Sequence, residues 1–151
     1  MNEVKLAMPN NVRIWRSPAI TPVLDTDAYS AVDAIGTKQQ VSGAPSMGII
    51  RAITISDDSD QASDINLWVF DSEPTGIADD ANFALADADL QRVIDMVVGD
   101  TRRDGINGLV TAEYPNIPYK NESGELWFQM ACVGTPTYAA DALNVRFVIE
   151  Y

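Results

Sequence analysis

Hydrophobic and polar positions alternate with a period of two through the last part of this chain. Leu126, Phe128, Met130 and Cys132 alternate with Trp127, Gln129, Ala131 and Val133. Leu143, Val145, Phe147, Ile149 and Tyr151 then alternate with Asn144, Arg146, Val148 and Glu150. A period of two puts each set on one face of a strand, so the pattern predicts two half-buried strands joined by residues 134–142. No tail is expected beyond the second of them.

The rest of the pattern points the same way. Residues 12–16 alternate Val12 and Ile14 against Arg13 and Trp15, before Pro18 and Pro22 break regularity. Residues 25–36 predict a turn, then a strand near 33–35. Residues 48–56 (GIIRAITIS) are β-branched and apolar, and 57–60 form a polar turn. Residues 64–71 (DINLWVFD) are apolar on both faces, as expected of a central strand or one at a subunit contact. The sequence at 73–76 closes it as a turn. Residues 82–98 fit a helical turn near 86–91 followed by a strand. Residues 99–108 predict a turn-rich loop, 109–113 and 117–120 short strands, and 121–124 a further turn.

Eight to ten short strands with little helix predict an all-β fold: an antiparallel β-sandwich of jelly-roll type with an N-terminal arm. The domain expectation is an arm over 1–22 and one sandwich over 23–151. A chain of 151 residues can bury such a core without disulfides. The single cysteine, Cys132, lies on the apolar side of its strand and is expected to be a buried thiol in a reducing compartment.

Charge changes the picture. The net charge is −12, which opposes binding to nucleic acid or to an anionic membrane surface. Residues 1–22 nevertheless hold Lys5, Arg13 and Arg16 against Glu3, a net of +2. The remainder therefore carries −14, and a cationic arm on an acidic body reads as a docking device. No apolar run approaches a membrane span, and residues 1–6 lack a signal-peptide layout.

Little chemistry is suggested. The chain has no histidine, the commonest general base and zinc ligand. Gly105-Ile106-Asn107-Gly108 lacks the Lys and Ser/Thr of a phosphate loop. Asp57, Asp58, Asp60 and Asp64, or Asp79, Asp80, Asp87 and Asp89, offer oxygens for calcium, but the required loop spacing and glycine are missing. A carboxylate pair for glycoside hydrolysis is formally available. Trp15, Trp68, Trp127 and Tyr138 are aromatics for a sugar-binding face, although Trp68 and Trp127 lie where packing is the simpler reading. No catalytic residue, metal or cofactor is expected, and the chain does not read as an enzyme.

Several segments resemble a family of small virion proteins from tailed bacteriophages. They are Asp25-Thr26-Asp27-Ala28-Tyr29 with Asp33-Ala34-Ile35-Gly36, Phe70-Asp71-Ser72-Glu73-Pro74, Asn82-Phe83-Ala84-Leu85-Ala86-Asp87-Ala88-Asp89-Leu90, and Gly134-Thr135-Pro136-Thr137-Tyr138. They span most of the chain in a consistent order, and Val32 stands where the family pattern has a glycine. The resemblance implies a jelly-roll decoration (cement) protein on the outside of the phage head, commonly trimeric and made in the host cytoplasm. Its partners would be the major capsid protein and itself. Lys5, Arg13, Trp15 and Arg16 are then the candidate capsid contacts, and Trp68, Phe70 and Tyr138 the candidate oligomer or loop-tip contacts. The alternatives are a receptor- or glycan-binding fibre module on the same sandwich, or another tail or connector component.

Overall fold

The computed structural model describes residues 11–105, 108–121 and 124–151. The alternation at the C-terminal end becomes β10 (Leu143–Glu150), in which Leu143, Val145, Phe147 and Ile149 are fully buried and Arg146 is exposed. β10 runs antiparallel to β3 (Met47–Asp57), the β-branched stretch, and on its other side to β1 (Ile14–Arg16). β3 carries two short strands end to end along its far edge. Its first part pairs with β8 (Ile117–Lys120) and its last part with β7 (Leu109–Glu113). β6 (Arg102–Asp104) adds to β7 and completes a six-stranded sheet.

The second sheet has four strands in the order β2 (Ala34–Gln40), β9 (Trp127–Cys132), β4 (Ile65–Phe70) and β5 (Val93–Gly99). All pairings in both sheets are antiparallel. One helical turn, α1 (Asp87–Leu90), precedes β5, as the sequence predicts.

The two sheets face each other across one apolar core. Phe128 of β9 and Phe147 of β10 join them, with ring centroids 5.4 Å apart, and both are fully buried. The pairing is nested. β1 pairs β10, β2 pairs β9, β3 pairs β7 and β8, and β4 pairs β5. The chain thus follows the course of one long hairpin whose successive rungs fall alternately into the two sheets.

Residues 133–142 cross from the four-stranded to the six-stranded layer, so the two predicted C-terminal strands lie in different sheets. The strand pattern is corrected in two places. β9 is not half-buried: Gln129 and Ala131 on its second face are as covered as the apolar set. The cover comes from residues 71–92, which the Gln129 side chain ties down. Its Nε2 donates to Ile77 O (2.7 Å) and Gly36 O (3.1 Å), and its Oε1 accepts from Ile77 N (3.1 Å). The expected loop at 99–108 contains β6, whose start is anchored because Glu113 Oε1 accepts from Thr101 N at 2.9 Å. The described part of the expected arm, residues 11–22, contains the short strand predicted at 12–16, as β1, and lies along the sheet edge. Ile20 bridges Val145, and Ser17 exchanges bonds with Phe147, its N donating to Phe147 O (3.0 Å) and its Oγ accepting from Phe147 N (2.9 Å). Residues 1–10, with Lys5, lie outside the described residues, as do 122–123 of the predicted 121–124 turn and 106–107.

β4 is an internal strand; Ile65, Leu67 and Val69 on one face are buried, while on the other Phe70 is buried and Asn66 and Trp68 are half-buried, with Trp68 stacked on Phe83 at 5.8 Å. Among the described residues, no helix is long and apolar enough to cross a membrane.

Candidate functional site: a cationic sheet face

Residues paired across an antiparallel ladder share a face, so the register gives the outer surface of the six-stranded sheet directly. Reading out from β10, Asn144 lies beside Ser56 and Val110–Arg103, and Arg146 beside Thr54 and Ala112. Val148 lies between Arg16 and Ala52, and Glu150 between Ile14 and Ile49–Pro118. Met47 and Lys120 form the last row. A bulge between Val148 and Ile149 leaves Arg51 as the extra residue in β3.

Among the described residues this face holds five cations (Arg16, Arg51, Arg103, Lys120, Arg146) and one carboxylate, Glu150. Its formal charge is therefore +4 on a chain of −12, and all other charges together amount to −16. Glu150 is itself engaged. Arg51 grips it in two-pronged fashion, Nε to Oε2 at 2.9 Å and Nη2 to Oε1 at 3.0 Å, which holds the Glu150 pKa below its ordinary value. Ile14, Ile49, Val148, Pro118, Met47 and Val110 intersperse the charges with apolar surface. Arginine amid aliphatic surface is the composition of a protein-binding patch.

Two concavities mark the face. Near its middle, Thr54, Ser56, Asn144 and Arg146 surround a shallow depression of about 440 Å³, closed by Ala19 and Val110. Thr21 Oγ1 donates to Asn144 Oδ1. Within the described chain, Arg146, Ser56 and Thr54 form no side-chain hydrogen bond or ion pair, and neither does Asn144 Nδ2. At the end of the sheet a groove of about 480 Å³ runs between Val12, Met47, Ile49, Tyr119 and Tyr151. Gly48 permits the strands to close there: a Cβ on it would lie 2.5 Å from Glu150 O. Burial pushes the Tyr119 hydroxyl up to about 12, and that group donates to Pro45 O at 2.8 Å.

Four of the carboxylates considered for calcium, Asp57, Asp64, Asp79 and Asp89, have structural employment. Asp57 accepts from Ser59 N (2.8 Å) and Gln61 N (2.9 Å), an Asx-type turn, and Asp64 pairs with Arg102. Buried Asp89 accepts from Thr75 N (2.9 Å) and Arg92 Nη1 (2.8 Å). Among the described residues, no three acidic or thiol groups converge as a metal site. The Cys132 thiol is buried as expected, donates to Ser30 O at 2.9 Å, and has its pKa raised by that burial.

The contact candidates divide. Arg13 and Arg16 are exposed, and Arg16 belongs to the cationic face. Trp15 points the other way and packs against the core. Tyr138 is 1% exposed, against Tyr29 at a ring distance of 6.0 Å, and Phe70 is 0% exposed, so neither presents a side chain to another molecule. Trp68 is only partly covered. Thr54, Ser56, Arg103, Lys120 and Arg146 were not singled out by sequence reasoning. The alternation in β10 does put Asn144 and Arg146 on one side, but which strand lies beside them is a matter of register.

Neither a protein-family model nor a curated protein matches this chain.

Proposed function

We propose that this chain is a structural protein of a virus particle, a decoration protein of a tailed-phage head that binds the outside of the assembled shell. The observation that carries the reading is the cationic, aliphatic outer face of the six-stranded sheet on an otherwise acidic body, a surface suited to an acidic patch of a shell protein. Binding rather than catalysis is its work. Because it binds the assembled shell and not free subunits, it stabilises that shell by linkage, and many copies on one lattice make modest contacts sufficient.

The strand order supports the finer fold assignment. Without the short β6 and β8, the two layers read β1-β10-β3-β7 and β2-β9-β4-β5. That is the nested pairing of an eight-stranded jelly roll. Val32 adds support to the family resemblance: it stands where the family pattern has a glycine and adopts φ 67°, a glycine-like conformation. Self-association as a trimer belongs to the same reading, with Trp68 the remaining contact candidate and Arg16 part of the docking face. A glycan-binding tip at Tyr138 loses its support through the burial of that ring.

The test is a comparison of heads with and without the protein. Complete heads should withstand heating and packaged-DNA pressure better, and the chain should be present in hundreds of copies. Equal tolerance, or a few copies at one vertex, would refute the assignment. Reversing Arg16 and Lys120 to Glu should strip the protein from heads without unfolding it.

A further inference from the structure

The depression around Arg146 differs from the rest of the cationic face. Arg51 is already satisfied by Glu150, whereas Arg146 has no ion pair within the described chain. Arg146, Thr54, Ser56 and Asn144 line one concavity, and Thr21 occupies the Asn144 Oδ1 that would otherwise repel an anion. These are four potential donors around a space bounded on two sides by Ala19 and Val110. We propose that this depression is a receptor for a carboxylate, the side chain of an Asp or Glu on the surface of a partner protein.

A carboxylate matches a guanidinium fork with two parallel bonds and leaves its remaining lone pairs for the hydroxyls. An extended polyanion fits less well. Nucleic acid requires a continuous track of cations, while the body carrying this face bears −16. A single acidic side chain set in apolar surface instead matches Arg146 with Val110 and Val148 on the same sheet face. The inference rests on the docking role proposed above and names its central polar contact.

The experiment needs only the pure chain. It is titrated, with backbone amide shifts recorded, against an acetylated and amidated octapeptide carrying one Glu among Ala, Val and Ser, and separately against a thymidine octanucleotide. The peptide should give saturable shifts at Thr54, Ser56, Asn144 and Arg146. Arg146→Gln and Ser56→Ala should weaken that response, roughly threefold to fivefold for the arginine as an exposed ion pair. Lys38→Gln, on the four-stranded sheet, should leave it unchanged. Absence of saturable shifts at those four residues, an equal response in Arg146→Gln, or a stronger response to the oligonucleotide would each overturn the proposal. Rebinding to heads that lack the chain separates the two ideas. Peptide shifts without head binding would remove the decoration role and leave the site standing. Head binding undiminished in Arg146→Gln, with no peptide shifts, would do the reverse.

Discussion

The Tyr29 hydroxyl donates to Asp79 Oδ1 at 2.8 Å and thereby joins two loops remote in sequence at the margin of the four-stranded sheet. The same carboxylate accepts from Gly36 N at 2.6 Å and from Asp25 N. Burial is the main reason the Tyr29 pKa is driven far up, followed by its bond to Asp79. Both effects favour the neutral phenol, which is the form that donates to Asp79.

Hydrogen bonds to a charged acceptor contribute about 1.5–3 kcal/mol each, and losing several exposes their donors. Asp79→Ala is expected to lower unfolding stability by about 3 kcal/mol or more, and Tyr29→Phe by about 1.5 kcal/mol, in urea denaturation. If both cost the same, the backbone donors contribute nothing and the three-donor arrangement has been misjudged.

Gln129 is 1% exposed, and its amide serves three backbone groups of Gly36 and Ile77. Gln129→Leu keeps the volume but leaves those groups without partners, at an expected cost of about 3 kcal/mol. Amide exchange at Ile77 should accelerate more than exchange in β10. Uniform acceleration would mean that residues 71–92 are not held as a separate cover.

Val32 occupies φ 67° while its N donates to Cys132 O (3.0 Å) and its O accepts from Phe83 N (2.8 Å). The flanking bonds thus hold a β-branched residue in the left-handed region, which costs roughly 1–2 kcal/mol. Its side chain is 54% exposed, so little burial is lost on removal. Val32→Gly is expected to stabilise the protein by about 0.5–1 kcal/mol after the entropy of glycine is subtracted. A lower melting temperature would contradict this.

Asp80 has its pKa raised, first by partial desolvation and then by the carboxylates of Asp33, Asp25, Asp79 and Asp27. A carboxyl with a raised folded pKa favours folding below its unfolded value near 3.8, and that contribution is lost as pH rises through the folded value. Asp80→Asn should therefore raise the melting temperature at pH 7, with the gain vanishing below roughly pH 4. Asn tolerates the φ of 58° found there. A gain that persists at pH 3 would point to a cause other than charge.

The strands were legible because their periods are strong. Leu109–Glu113 and Ile117–Lys120 agree with the predicted boundaries, and the helical turn before β5 is where the pattern put it. What escaped the sequence depends on distant parts of the chain. Gln129 looks solvent-facing until residues 71–92 fold over it, and Tyr138 looks like a loop tip until Tyr29 closes against it. Arg102–Asp104 is too short and too charged to read as a strand, and pairs only because β7 offers it an edge. The cationic face was hidden for the same reason: Arg16, Arg103, Lys120 and Arg146 come from four strands, and only the β1-β10-β3-β7-β6 ladder, with β8 alongside, brings them together.

The nested pairing also dictates a timetable. β4 and β5 meet across a short stretch of chain, whereas β1 must find β10 across nearly the whole described length. Closing such long loops is slow, and folds dominated by distant pairings form in milliseconds to seconds rather than microseconds. The natural order is zippering outward from the β4–β5 bend, with β1 docking last. On that schedule the row bearing Arg16 is completed only at the end, so the cationic face matures after the core that supports it.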